Sequence, residues 1–156
     1  RDSARNTSMR TGDTNTQILL DPDTFFYAND CHDVMACAVH DNPQALCPRL
    51  WNATWSHRPV SLLHFPNAVR HAVLTTGRVP GHAMHCFFHT VDTLPGSSGA
   101  PVFIRVGKHW HWVGIHSEAV DVQTAPATSV PMNLGCTMEV ALRAIKHAGY
   151  TCTLTE

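Results

Sequence analysis

From Pro59 onward the sequence is cut into short pieces. Val60 to Phe65, Arg70 to Val79, Cys86 to Val91, Pro101 to Val106, Trp110 to His116 and Val130 to Leu134 are each rich in branched or aromatic residues, with Gly, Pro and Asn signals between them. Segments this short cannot carry long helices, and six of them at fairly regular spacing predict a small antiparallel barrel or sandwich. Phe65-Pro66-Asn67 and Arg105-Val106-Gly107-Lys108 have the chemistry of turns. The period changes near the end, where Met138, Ala141, Leu142, Ile145 and Ala148 fall on one helical face behind Thr137 as a candidate N-cap. Glu139 in the first turn, Arg143 to His147 later and Gly149 just beyond agree with the dipole and C-cap rules. The expectation is an all-β fold closed by one helix over 137–148.

Upstream the pattern is weaker. Residues 1–16 are polar and short of large apolar side chains, which predicts a flexible N-terminal segment. Gln17 to Leu20, a Pro-containing turn at Asp21-Pro22-Asp23, Phe25-Phe26-Tyr27 and the run Val34 to Val39 read as short buried strands within a unit spanning 17–50. Residues 51–58 read as a connection to a second unit over 59–136.

Composition removes several classes of function. The 156 residues hold 11 basic and 12 acidic side chains for a net charge of -1, so no field of one sign steers the chain toward nucleic acid or anionic lipid. The longest apolar runs are only a few residues, too short to span a bilayer as a helix. Six cysteines at 31, 37, 47, 86, 136 and 152 are too spread for metal knuckles. The twelve histidines are the unusual feature, because imidazole moves protons and binds metals near neutral pH. His82, His85 and Cys86 fall close together, and His109 and His111 share a strand face, yet no acidic or Cys partner stands at a recognisable spacing for zinc. Neither a metal nor a cofactor is expected.

The segment richest in chemistry is Asp92-Thr93-Leu94-Pro95-Gly96-Ser97-Ser98-Gly99-Ala100-Pro101-Val102-Phe103. A serine with glycines at positions -2 and +1 occupies a tight turn that exposes its hydroxyl and lets nearby backbone N–H groups converge, as an oxyanion hole requires. An ordinary Gly/Ser loop between strands is the competing reading.

With Trp112-Val113-Gly114-Ile115-His116 following, His64-Phe65-Pro66-Asn67 preceding, and Asp33-Val34-Met35-Ala36-Cys37-Ala38-Val39 further upstream, the chain resembles the chymotrypsin-fold serine peptidases. The likeness is to the trypsin-like branch that includes the glutamyl endopeptidases, and it runs in family order over roughly residues 17–148. It implies a chymotrypsin-like double β-barrel with a partial first barrel over 17–50, a complete second barrel over 59–136 and the C-terminal helix. The implied reaction is hydrolysis of a peptide or protein substrate through an acyl-enzyme.

Under that resemblance Ser98 is the nucleophile, the N–H groups of Gly96 and Ser98 form the oxyanion hole, and Asp33 orients the catalytic imidazole. Thr93 and His116 match the positions that line the pocket for an acidic substrate side chain. Ser117-Glu118-Ala119 departs from the family, where glycine is common.

The activating histidine of the family lies upstream of the aspartate, and here the only histidine before Asp33 is the adjacent His32. Neighbouring residues on an extended chain point to opposite faces, so His32 is poorly placed to meet both Asp33 and Ser98. Two expectations follow: an N-terminally truncated peptidase lacking its catalytic histidine, or a degenerate peptidase scaffold kept as an interaction module. Compartment and oligomeric state are not encoded legibly.

Overall fold

The computed structural model describes residues 8–10, 17–29, 34–40, 48–51, 55–69, 71–120 and 131–151. It separates into two compact units, residues 1–46 and 47–156.

The first unit is a three-stranded antiparallel sheet in the order β1 (Ser8–Arg10), β2 (Gln17–Asn29), β3 (Val34–Val39). Ser8–Arg10 lie in the stretch whose polarity predicts a flexible end. They form a strand because ladder pairing with Gln17 to Leu19 uses backbone groups and needs no apolar side chain. The expected turn at Asp21-Pro22-Asp23 lies inside one long strand. Asp21 pairs with Ala38 and Phe26 with Cys37, so residues 22–25 loop out of the ladder, with the Thr24 N–H capping the Asp21 carboxylate at 3.2 Å. Proline cannot donate to a ladder, and a bulge accommodates it without ending the strand. Asp33 and His32 lie outside the described residues.

The second unit is mostly β. Its seven strands are β4 (Pro59–His64), β5 (Val73–Arg78), β6 (Gly81–Ala83), β7 (Cys86–His89), β8 (Pro101–Val106), β9 (His109–Ala119) and β10 (Asn133–Thr137). They form one antiparallel sheet in the order β5-β4-β8-β9-β10-β7-β6, curled into a half-barrel. The Thr90 N–H donates to the Arg78 carbonyl at 2.9 Å and the Arg78 N–H to Thr90 Oγ1 at 3.0 Å, which bends the β5 edge back toward the end of β7. Alternation supplies the core. Val60 and Leu62, Val102 and Ile104, and Phe87 are sealed inside with Val79, Val91 and Val113. Trp51 stacks on Phe87 with ring centroids 4.9 Å apart and meets Trp55 edge-on.

The β8–β9 turn is Gly107-Lys108, and Gly107 at φ 61° supplies the positive φ such a two-residue turn needs at its first position. The last strand runs Asn133–Thr137, and the expected start at Val130 lies outside the described residues. The helix α1 runs Glu139–His147 with Met138 as its N-cap residue. Thr137 is fully buried as the last residue of β10, so it is not the cap. Ala141 and Leu142 carry the buried face, and Gly149 ends the helix at φ 86°. Among the described residues no helix is long and apolar enough to cross a membrane.

Candidate functional site

The loop from Thr90 to Ala100, between β7 and β8, is built from two consecutive tight turns that share Ser97. In Leu94-Pro95-Gly96-Ser97 the Ser97 N–H donates to the Leu94 carbonyl at 3.0 Å, with Pro95 at the second position and Gly96 at φ 92° at the third. That is the sequence and the dihedral of a type II turn. In Ser97-Ser98-Gly99-Ala100 the Ala100 N–H donates to the Ser97 carbonyl at 3.1 Å, and Gly99 at φ 81° again takes the third position. The motif therefore needs its two glycines where it has them, and Ser98 rides exposed at the second position of the second turn.

These turns sort the backbone donors. The N–H groups of Ser97 and Ala100 are consumed inside the loop, and that of Gly99 donates to the His116 carbonyl at 2.8 Å. Among the described residues the N–H groups of Gly96 and Ser98 reach no acceptor, and neither does the Ser98 hydroxyl. Two unspent donors thus flank Ser97.

Ser97, and not Ser98, is the buried serine, at 1% exposure. Its Oγ accepts the Leu94 N–H at 3.2 Å and lies 2.7 Å from His64 Nδ1. His64 Nε2 lies 3.0 Å from Thr75 Oγ1, which donates its single proton to the Asp92 carbonyl at 3.4 Å. With that proton spent, the imidazole carries its own on Nε2 and takes the Ser97 hydroxyl proton on Nδ1, an assignment made from the network. Burial holds the His64 pKa below its ordinary value, which favours the neutral ring. Below it, the short 3-10 turn Pro66–Ala68 fastens the loop from the other side through the Asn67 N–H and the Pro95 carbonyl, 2.7 Å apart.

A second imidazole pair forms the neighbouring wall. His89 Nδ1 accepts the Val91 N–H at 3.3 Å, so its proton sits on Nε2, 3.2 Å from His116 Nδ1. Burial, and then the adjacent His116, push the His89 pKa down to about 3. Burial also lowers His116, against a hydrogen bond to the Leu134 backbone that raises it. Thr93 donates to Asn133 Oδ1 at 3.1 Å, and Asn133 Nδ2 to the Val91 carbonyl at 2.7 Å. Asn133 stands opposite His89 in the β7–β10 ladder. Thr93 and His116 therefore meet the same wall, each already bonded within it.

Strand irregularities at β9 aim this wall. Gly135 pairs with His116 and Leu134 with Glu118, leaving Ser117 as an extra residue, and a second shift leaves Val113 extra against β8. Bulges of this kind re-aim side chains beside functional loops. Both His116 and Ser117 are buried as a result.

The structure brings Gly96, Ser98, Thr93 and His116 to one end of the second unit, while Asp33 lies outside the described residues. His64, Thr75, His89, Ser97 and Asn133 carry the network, and sequence reasoning assigned a role to none of them, although His64 and Ser97 stand inside segments that carry the resemblance. Strand alternation contains the signal for two of them: His64 continues the inward series of Val60 and Leu62, and His89 follows Phe87. Among the described residues no group of three His, Cys, Asp or Glu side chains is placed to hold a metal ion. His82 instead bonds Ser56, His85 lies 3.4 Å from Glu139 and His111 stacks near Trp55.

No protein-family model matches the chain, and no curated protein matches it in sequence.

Proposed function

We propose that this chain is a serine-endopeptidase-like protein of the chymotrypsin-like double-barrel type, with Ser98 as the acyl-accepting nucleophile. The observation that carries the reading is the donor sorting in the Gly96 to Ala100 turns. From Gly96 to Ala100 the N–H groups of Ser97, Gly99 and Ala100 are used internally, whereas those of Gly96 and Ser98 have no internal acceptor and stand beside the exposed Ser98 hydroxyl. A carbonyl oxygen becoming negative is the acceptor such donors suit. Ser98 Oγ attacks a peptide carbonyl, Gly96 and Ser98 N–H hold the oxyanion, and Asp33 orients an imidazole that these 156 residues do not supply. Peptide or protein is the substrate class, with Thr93 and His116 at the position of the acidic-side-chain pocket and no cofactor required.

A second reading, the catalytically silent interaction module, is favoured by one observation. His116 is buried and bonded to His89, and Thr93 is bonded to Asn133, so the pocket polar groups satisfy one another.

Fluorophosphonate labelling with added free imidazole separates the two. The peptidase reading expects little labelling of the chain alone, a rate that climbs with imidazole, and modification mapped to Ser98 and lost in Ser98→Ala. No labelling at any imidazole concentration, or labelling that survives Ser98→Ala, favours the module.

A further inference from the structure

Two of the cysteines stand directly opposite each other in the sheet. In the β7–β10 ladder Cys86 is the register partner of Cys136. The next pair along is Thr137 and His85, and there the Thr137 N–H donates to the His85 carbonyl at 2.8 Å. Antiparallel pairs alternate between hydrogen-bonded and non-hydrogen-bonded, so Cys86 and Cys136 occupy a non-hydrogen-bonded site, where facing Cα atoms are about 4.5 Å apart. Disulfides span Cα separations of about 4.4 to 6.8 Å, so the pair can close without moving either strand. Directly opposed residues also share a sheet face. Phe87 and Gly135, one position on, face the core, which puts both sulfurs together on the outer face.

The two thiols differ in access. Cys136 is buried, and Cys86 is half-buried, two residues from the exposed Met84. Among the described residues the remaining cysteine, Cys37, faces Phe26 in the other unit.

We propose that Cys86 and Cys136 form a reversible cross-strand dithiol–disulfide site whose oxidant is a low-molecular-weight disulfide. The Cys86 thiolate attacks one sulfur of RS–SR, giving a Cys86 mixed disulfide and releasing one RS⁻. Cys136, having lost its proton to solvent, attacks Cys86 Sγ; the Cys86–SR bond breaks and the second RS⁻ departs. Two protein thiols are oxidised to one cystine, one RS–SR is reduced to two RSH, and the two protons end on the released thiols. The closed bridge clamps β7 to β10 three register positions from His89 and Asn133, so it fixes the strand ends that carry the imidazole wall. This inference does not depend on any reaction at Ser98.

The test is thiol mapping on the folded protein. The chain is equilibrated in glutathione buffers from fully reduced to fully oxidised, trapped by alkylation and digested. A peptide joining Cys86 to Cys136 is expected to accumulate as the buffer becomes oxidising and to vanish on returning to reduced glutathione. The reduced protein is also expected to bind one equivalent of phenylarsine oxide across the pair, with at least a tenfold loss of affinity in Cys86→Ser. Alkylation of both cysteines in the most oxidised buffer, or Cys86 joined to a different cysteine, overturns the proposal. Unchanged arsenical binding in Cys86→Ser overturns it as well.

Discussion

His64 Nδ1 lies 2.7 Å from the buried Oγ of Ser97, and that contact connects the end of β4 to the pivot residue of both tight turns. The loop that displays Ser98 is therefore held from beneath by a side chain 33 residues away. A buried hydrogen bond stranded by deletion of one partner costs about 1 to 3 kcal/mol. His64→Ala and Ser97→Ala should each destabilise the second unit by roughly that amount, and the double variant by clearly less than the sum. Urea unfolding of the four proteins measures the coupling; strictly additive losses would show that the contact contributes nothing.

Acid should weaken the fold through the same cluster. His89 is held neutral, with its pKa near 3 against an ordinary 6.5. Between those values the unfolded chain binds more protons than the folded one, so this stabilisation is complete above about pH 6.5 and drains away as the pH falls toward 3. At pH 5 the loss from His89 alone is about 2 kcal/mol, and the lowered His64 and His116 act in the same direction. Comparison of unfolding midpoints at pH 7.5 and pH 5 for the native chain and His89→Gln checks this. The variant, which does not titrate there, should lose distinctly less, and equal losses would assign the acid sensitivity elsewhere.

Much of this arrangement was legible because it is local. The Pro95-Gly96 and Ser98-Gly99 steps announce tight turns by chemistry alone, and Pro101 to Val106, a short apolar run between Gly99 and Gly107, forms a strand with the expected bounds. The imidazole network was not legible, since a histidine at an inward strand position looks the same whether it faces solvent, a metal or another histidine. The pairing of His64 with Ser97 depends on register across the sheet, which spacing does not encode. The flanking glycines Gly96 and Gly99 did mark Ser98 as the exposed serine, but nothing in the turn chemistry announced that Ser97 beside it is buried against His64. The bulge at Ser117 on β9 left no mark either, because no glycine or proline stands there.

Gly114 and Gly135 face the core ring of Phe87 from adjacent strands. The three nearest atoms to a Cβ at Gly135 would all belong to the Phe87 ring, whereas one at Gly114 would meet both that ring and the Cys136 carbonyl. Overpacking of this kind costs typically about 1 to 3 kcal/mol. Gly135→Ala is expected to be largely rescued by Phe87→Leu, which vacates the ring position, while Gly114→Ala is not, because backbone cannot retreat. The two double variants, compared with Phe87→Leu alone by thermal unfolding, distinguish the cases; equal rescue would mean the carbonyl is not the obstacle.

Ser98 and Gly99 are adjacent, and their substitutions separate chemistry from conformation. The Ser98 side chain is exposed and bonds to no described group, so Ser98→Ala should shift stability by no more than about 0.5 kcal/mol. Gly99 at φ 81° has open space where a methyl group would stand, with nothing within 4 Å. Its replacement by alanine is therefore opposed by backbone strain alone, of about 1 to 2 kcal/mol. If the loop relaxes that strain by leaving the left-handed region, the Gly99 N–H loses the His116 carbonyl and the donors flanking Ser97 are re-aimed. Gly99→Ala should then abolish imidazole-assisted labelling of Ser98 although the hydroxyl is intact, with loss of amide protection at Gly99 and His116 in hydrogen exchange. Full labelling in Gly99→Ala would show that the reactivity of Ser98 does not depend on the turn that presents it.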